Sequence, residues 1–292
     1  MEYFLLFMVP LITSANRILQ KKFKQSTVEI EQASNVYVIT VCITAMLFFG
    51  FMAKGKLMPN MPTILFSVVM AIFSAASNIL TLLALDKTDV ATIAVFSGAG
   101  IILIPFLYGT LLLNEQVSIF KIITLFLLIA VIILPLFEKR ASEKKKSYIG
   151  YAYCIIIFLV SGGTTVLLKL YALNENVLDT NVFCFWTNVI MFPIMLTVAL
   201  YSNPRQFIPD AKKIKPLSYA IAITTVVLSN LSAILQVFVL KDIDITLFTL
   251  LNSPVALVLT AILSWLVFSE KITKQMALSI ILSITAIIFS VI

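Results

Sequence analysis

Apolar residues run along this chain in long, nearly unbroken blocks, and polar positions gather in the short gaps between them. Ten blocks, roughly 3–20, 33–52, 62–84, 90–113, 118–138, 148–170, 179–202, 216–240, 245–269 and 274–292, approach the ~20 residues that a helix needs to cross a bilayer. Strands of a membrane barrel would be ~10 residues long and alternate in polarity, so the pattern predicts helices. The expected fold is all-α and integral to the membrane, with ten transmembrane helices. Turn chemistry marks several joints, as in Met58-Pro59-Asn60-Met61-Pro62, Asp86-Lys87-Thr88-Asp89, and the stretch from Asn203-Pro204-Arg205 to Pro209-Asp210. The midpoint is the run from Glu138 to Ser147, rich in Lys and Arg, which divides five blocks from five.

The two halves repeat. A shift of 155 positions lays Asp89 to Glu115 on Asp244 to Glu270 without a gap, and upstream it places Ser74 on Ser229 and Ser77 on Ser232. A shift of 148 places Thr13 on Ser161 and Lys21 on Lys169. An odd number of spans per half puts the halves in opposite orientations, so residues 1–140 and 148–292 are expected to form two inverted five-helix repeats. Each copy of the repeated stretch has a break in its apolar run, Ser97-Gly98-Ala99-Gly100 in one and Asn252-Ser253-Pro254 in the other. Paired Gly/Pro interruptions of this kind point to a transporter's binding site. Pro254 removes the bond to the carbonyl of Leu250 and Pro105 that to Ile101, while Pro10 is a further hinge candidate.

Composition agrees with the pattern. Hydrophobic residues make up 61% of the 292 and charged ones 12%, against about 25% charged in a soluble domain, and no polar stretch is long enough for a separate soluble domain. The net charge of +7 sits in short loops, where lysines orient a membrane chain; nucleic acid is not an expected partner. If the chain began inside the cell, only Lys54, Lys56, Lys121, Lys169 and Lys241 of the 21 Lys and Arg would lie inside. The charge bias therefore predicts both termini outside. Cys42, Cys154 and Cys184 fall within apolar blocks without metal-ligand spacing, and the chain has no histidine, so histidine triads, zinc motifs and His-ligated haem are excluded and no cofactor is expected. Glu2 stands where a signal peptide would be basic, so the first span is expected to be retained.

Several blocks carry their few polar groups on one helical face. The first has Thr13, Asn16, Arg17 and Gln20; the third Ser74, Ser77, Asn78 and Thr81; the fourth Ser97 and Gly98; the sixth Ser161, Thr164 and Thr165. The eighth has Thr225, Ser229, Ser232 and Gln236, with Asn230 one residue off the stripe, and the ninth Thr249, Asn252, Ser253 and Thr260. Six such faces can enclose a polar cavity, and the candidate substrate-binding residues are Asn16, Arg17, Ser74, Asn78, Ser97, Gly98, Thr164, Ser229, Gln236, Asn252 and Ser253. The competing reading is that small and hydroxylated residues only let membrane helices approach and bond one another. Arg17 lies ~21 Å along the first span at 1.5 Å per residue, where it either faces the cavity and favours an anionic group on the substrate or snorkels to the interface. Tyr37, Tyr108, Phe183, Phe185 and Trp186 line a cavity or anchor the interface. No acid lies mid-span; Glu115 and Glu270 read as helix-end fixtures.

Each half also ends on an acid followed by a β-branched and a small polar residue, Leu113-Asn114-Glu115-Gln116-Val117-Ser118 and Phe268-Ser269-Glu270-Lys271-Ile272-Thr273. With the ten blocks in two halves, this resembles the EamA branch of the drug/metabolite transporter superfamily. The resemblance implies a multi-pass protein of the plasma membrane, with termini inside, against the charge bias. Four-helix multidrug exporters of the same superfamily use a carboxylate in the first helix, where this chain has Thr13, Ser14 and Asn16. The expected function is a secondary transporter of a small polar metabolite, amino-acid-like solutes among them, working by alternating access and not an enzyme; monomer and homodimer are both open. The alternatives are an exporter of cationic drugs and a non-transporting membrane scaffold or lipid-handling enzyme.

Overall fold

The computed structural model of the chain describes residues 2–27, 30, 32–85, 87, 90–134, 148–202, 204–268 and 274–291. Among these the chain is helical, without a strand: α1 (Glu2–Ser26), α2 (Ala33–Met52), α3 (Met61–Leu85), α4 (Val90–Leu111), α5 (Ile119–Ile133), α6 (Tyr148–Leu173), α7 (Thr180–Ser202), α8 (Pro204–Lys213), α9 (Pro216–Asp242), α10 (Ile245–Phe268) and α11 (Lys274–Val291). The basic run between the halves, Asp86, Asp89 and Glu270 lie outside the described residues.

Each of the ten apolar blocks corresponds to a helix. Seven of them, α2, α3, α4, α6, α7, α9 and α10, are long and apolar enough to cross a membrane, while α5 and Met276–Ser290 within α11 are shorter apolar helices. In α1 the second half carries Arg17, Lys21, Lys22 and Lys24. Large apolar side chains stand exposed on the outer surface, among them Phe51, Phe126 and Trp265; lipid, not water, is the solvent that suits them. The chain is a multi-pass membrane protein.

Two expectations need correcting. The first concerns α8, a helix where the two prolines predicted only a joint. Pro204 is its first residue, where the missing N–H costs nothing, and its inner side buries Asp210, whose Oδ2 accepts from the N–H of Gln32 at 3.2 Å. The second concerns the interruptions: α4 and α10 run unbroken through Ser97–Gly100 and Asn252–Pro254. Gly100 and Gly162 are packing devices. A Cβ on Gly100 would stand 2.1 Å from the carbonyl oxygen of Phe158, and one on Gly162 2.3 Å from that of Gly100, so α4 and α6 meet backbone to backbone as small residues allow in membranes.

The end of the bundle where α1 begins is sealed. Val9, Phe49, Tyr171, Phe183, Leu240 and Phe248, from α1, α2, α6, α7, α9 and α10, belong to one buried cluster, and Tyr171 stacks on Phe183 with centroids 4.3 Å apart. Polar ties close the loops above it: Asn60 Nδ2 donates to the carbonyl of Asn176 at 2.6 Å and Trp186 Nε1 to that of Leu57 at 2.7 Å. At the opposite, lysine-rich end, Arg17, Gln20 and Lys24 of α1 and Ala94 of α4 are exposed.

Candidate functional site

A hydroxyl in hydrocarbon is satisfied most cheaply by its own helix, and several residues of the polar stripes do this. Thr164 donates to the carbonyl of Ser161 at 2.7 Å, Thr249 to that of Ile245 at 2.9 Å, Thr260 to that of Ala256 at 2.6 Å, and the Asn78 amide to the carbonyl of Ser74 at 2.8 Å. The informative groups are those that reach between helices.

The largest such cluster joins α1 to α9. Asn16 Nδ2 donates to Ser229 Oγ at 2.5 Å, Thr13 and Ser232 hydroxyls lie 3.2 Å apart, and Gln236 Nε2 donates to Ser232 Oγ at 3.1 Å. On the other side of α1, Ser14 Oγ lies 2.9 Å from the carbonyl of Ala256 in α10. A second, smaller cluster joins α4 to α6 through Ser97 and Ser161, 3.1 Å apart. Thus Asn16, Ser229 and Gln236 come together, Ser97 and Thr164 meet at Ser161, and Ser74 and Asn78 pair along α3. Gly98 turns elsewhere: a Cβ there would touch Ile132 of α5 at 3.6 Å. Arg17 is exposed, and Ser253 is half-buried.

Among the described residues five amides have a buried atom without a hydrogen-bond partner; two of them, Asn35 Oδ1 on α2 and Asn181 Oδ1 on α7, lie away from the α1–α9 cluster. Asn16 Oδ1, Asn252 Oδ1 and Asn230 Nδ2 are buried with no hydrogen-bond partner. Leaving such a group unpaired costs about 1–3 kcal/mol, and in a membrane no water makes up the loss. Of the aromatic candidates, Tyr37 and Thr225 place their hydroxyls 2.9 Å apart, joining α2 to α9, and Phe183 belongs to the sealed end.

Two charged residues outside the expected site are built into the sealed end. Lys169, 5% exposed, donates from Nζ to the carbonyls of Leu240 and Ile243 at 2.7 and 2.8 Å, so an ammonium satisfies the last carbonyls of α9 at the negative end of its dipole. Glu115 is the helix-end fixture expected of it, but the helix is in the other half of the chain: Oε1 and Oε2 accept from the N–H groups of Ile245 and Thr246, at 2.8 and 3.0 Å, at the start of α10. Asn114, at φ 53°, turns the chain back, and Gly109 leaves space, since a Cβ there would meet Glu115 Oε2 at 2.5 Å. The 148-residue offset pairing Lys21 with Lys169 was the one sequence signal that marked this lysine.

Residues 148–292 match the model of the EamA-like transporter family. That half of the chain belongs to the EamA-like family, within the drug/metabolite transporter superfamily. The match begins where α6 begins, so α6, α9 and α10, with Lys169, Ser229 and Asn252, all lie in the EamA-like part. A solved crystal structure, described only as that of a protein, superposes with a TM-score of 0.75 over 99% of this chain and 96% of its own, at 14% identity; the likeness extends the fold across both halves. No curated protein matches the chain.

Proposed function

We propose that the protein is a secondary transporter of the plasma membrane that carries a small polar metabolite, amino-acid-like in character, by alternating access between two inverted five-helix repeats, residues 1–140 and 148–292. The observation that carries this reading is the group of buried amide atoms without partners, Asn16 Oδ1 and Asn252 Oδ1 foremost, beside the Asn16–Ser229 bond. Two vacant amide oxygens suit the N–H donors of an ammonium group. Arg17, the next residue along α1 and exposed, suits the carboxylate of the same zwitterion.

The packing supports the repeat. Exchanging α1 to α5 with α6, α7, α9, α10 and α11 in order maps the neighbours α1–α9 onto α3–α6, α1–α10 onto α4–α6, and α3–α7 onto α2–α9, while α2–α7, α4–α10 and α5–α11 map onto themselves. The whole-chain likeness at TM-score 0.75 is in line with this. The site of the proposal comprises Asn16, Ser229, Gln236 and Asn252 at its centre, with Arg17, Ser253, Ser97 and Thr164 around it and Ser74 and Asn78 along α3; Gly98 contributes packing only. Positive charge at the lysine-rich end favours placing that end in the cytoplasm.

A thermal-shift screen of purified protein against a metabolite panel tests the site. Amino-acid-like zwitterions should raise the unfolding temperature of the wild type, and Asn252→Leu, which removes an oxygen that satisfies no protein group, should abolish the shift while preserving the fold. Stabilisation by organic cations alone would instead favour an exporter of cationic drugs.

A further inference from the structure

The exchange symmetry breaks most strongly at one pair of helices, with weaker contacts of α5 on α10, α3 on α4 and α7 on α9 also lacking comparable counterparts among the described residues. α6 packs on α9, yet among the described residues its counterparts α1 and α3 are not in comparable contact. The broken symmetry has a chemical marker at each end. Lys169, at the end of α6, is buried and holds the carbonyls of Leu240 and Ile243 at the end of α9. Lys21, its counterpart at the 148-residue offset, sits on α10 instead, with Nζ 3.1 Å from Ser264 Oγ and 4.7 Å from the centroid of the Phe268 ring. The residue that matches Leu240 at the 155-residue offset is Leu85, the last of α3.

We propose that Lys21 and Lys169 are alternating latches, each closing one end of the transporter by bonding the carbonyls at the end of a helix in its own repeat. The inference rests on the alternating-access reading above. In an inverted repeat the two access states differ by exchange of conformation between the halves. The structure holds Lys169 latched to α9 at the sealed end; in the opposite state Lys21 latches to the last turn of α3 around Leu85, and Lys169 withdraws towards α4, where Gly109 and Leu113 are the counterparts of Ser264 and Phe268.

The chemistry fits a latch better than a fixed brace. Lys169 is bonded to main-chain carbonyls, and the nearby acids are engaged elsewhere: Glu115 with the N–H groups of Ile245 and Thr246, Asp244 with Lys121 at 3.8 Å and half-exposed, and Asp242 exposed. A neutral acceptor at a helix end releases an ammonium to water or another acceptor more readily than a buried carboxylate would. The lysine therefore holds its end closed without locking it.

Side-specific labelling of single cysteines in proteoliposomes tests the proposal without any need for substrate. Cys42, Cys154 and Cys184 are replaced, and reporters are introduced at Leu251, beneath the sealed end, and at Gln20, exposed at the other. Lys169→Gln should speed labelling of the Leu251 reporter from the sealed side and slow that of the Gln20 reporter, each by about tenfold for loss of charged hydrogen bonds. Lys21→Gln should move both in the opposite directions, and Lys169→Arg should restore the wild-type pattern. Changes in the same direction for both glutamine variants, or no change, in a wild type that opens at either end would overturn the latch alone. A wild type whose Leu251 reporter is never reached from the sealed side would overturn alternating access and the latch together.

Discussion

Gly162 has no room for a side chain, and Gly98 has. An added Cβ would lie 2.3 Å from the Gly100 carbonyl oxygen in the first case and 3.6 Å from Ile132 in the second. Both glycines sit among polar residues in similar stretches of sequence, and only coordinates separate them. Gly162→Ala must push α4 and α6 apart and should cost about 1–3 kcal/mol, as overpacking does, whereas Gly98→Ala should be nearly neutral; thermal unfolding in detergent distinguishes the two. Asn16 and Ser229 were visible in the sequence as members of facing stripes, because a polar residue in an apolar block is conspicuous. Their pairing was not visible, since the stripes fix a face and leave the partner open. The burial of Lys169 was not visible for a similar reason: the end of an apolar block and the core beside it read alike when the depth of burial is unknown.

Among elements, the long helices were legible because lipid demands unbroken apolar runs, and the blocks match the bounds of α2, α3, α6, α7, α9 and α10 closely, while α1 runs six residues past its block through a basic stretch to Ser26. The sequence misleads at three places through proline and glycine, the interruptions in α4 and α10 and the joint that is α8. In a membrane chain such residues serve close packing or begin a helix as often as they break one, which is why α4 and α10 are continuous and α8 exists. The docking of α8 also depends on one acid. Asp210 is bonded to Lys213 at 2.9 Å and to the N–H of Gln32, and the Lys213 ammonium, assisted by that N–H and opposed by burial, holds its carboxyl below the usual range. A folded pKa below the unfolded one means that the stabilisation is present above the ordinary carboxylate value of ~3.9 and is lost as pH falls through the lower, folded value. Protection of α8 amides, the factor by which their exchange is slowed relative to an unstructured amide at the same pH, should therefore be high and flat near neutrality and fall only in acid, and Asp210→Asn should show lower protection at neutral pH with no such acid step.

At the scale of the molecule, one end is sealed by an apolar cluster under the Lys169 and Glu115 contacts, and the other exposes Arg17, Gln20 and Lys24 of α1. Between them lies the α1–α9–α10 group with its unpartnered amides. Asn35 Oδ1 on α2 and Asn181 Oδ1 on α7 are unpartnered as well, so what favours a carrier is that Asn16, Asn230 and Asn252 lie on α1 and on the two helices packed against it, α9 and α10, where a carrier needs polar atoms vacant until substrate arrives. Counterflow in proteoliposomes measures this most directly. Vesicles loaded with unlabelled amino-acid-like solutes should accumulate the labelled solute well above protein-free vesicles, and Asn252→Leu, reconstituted to the same level, should lose that accumulation. No accumulation of any zwitterion across a broad panel, or full accumulation by Asn252→Leu, would contradict a polar carrier site at this position.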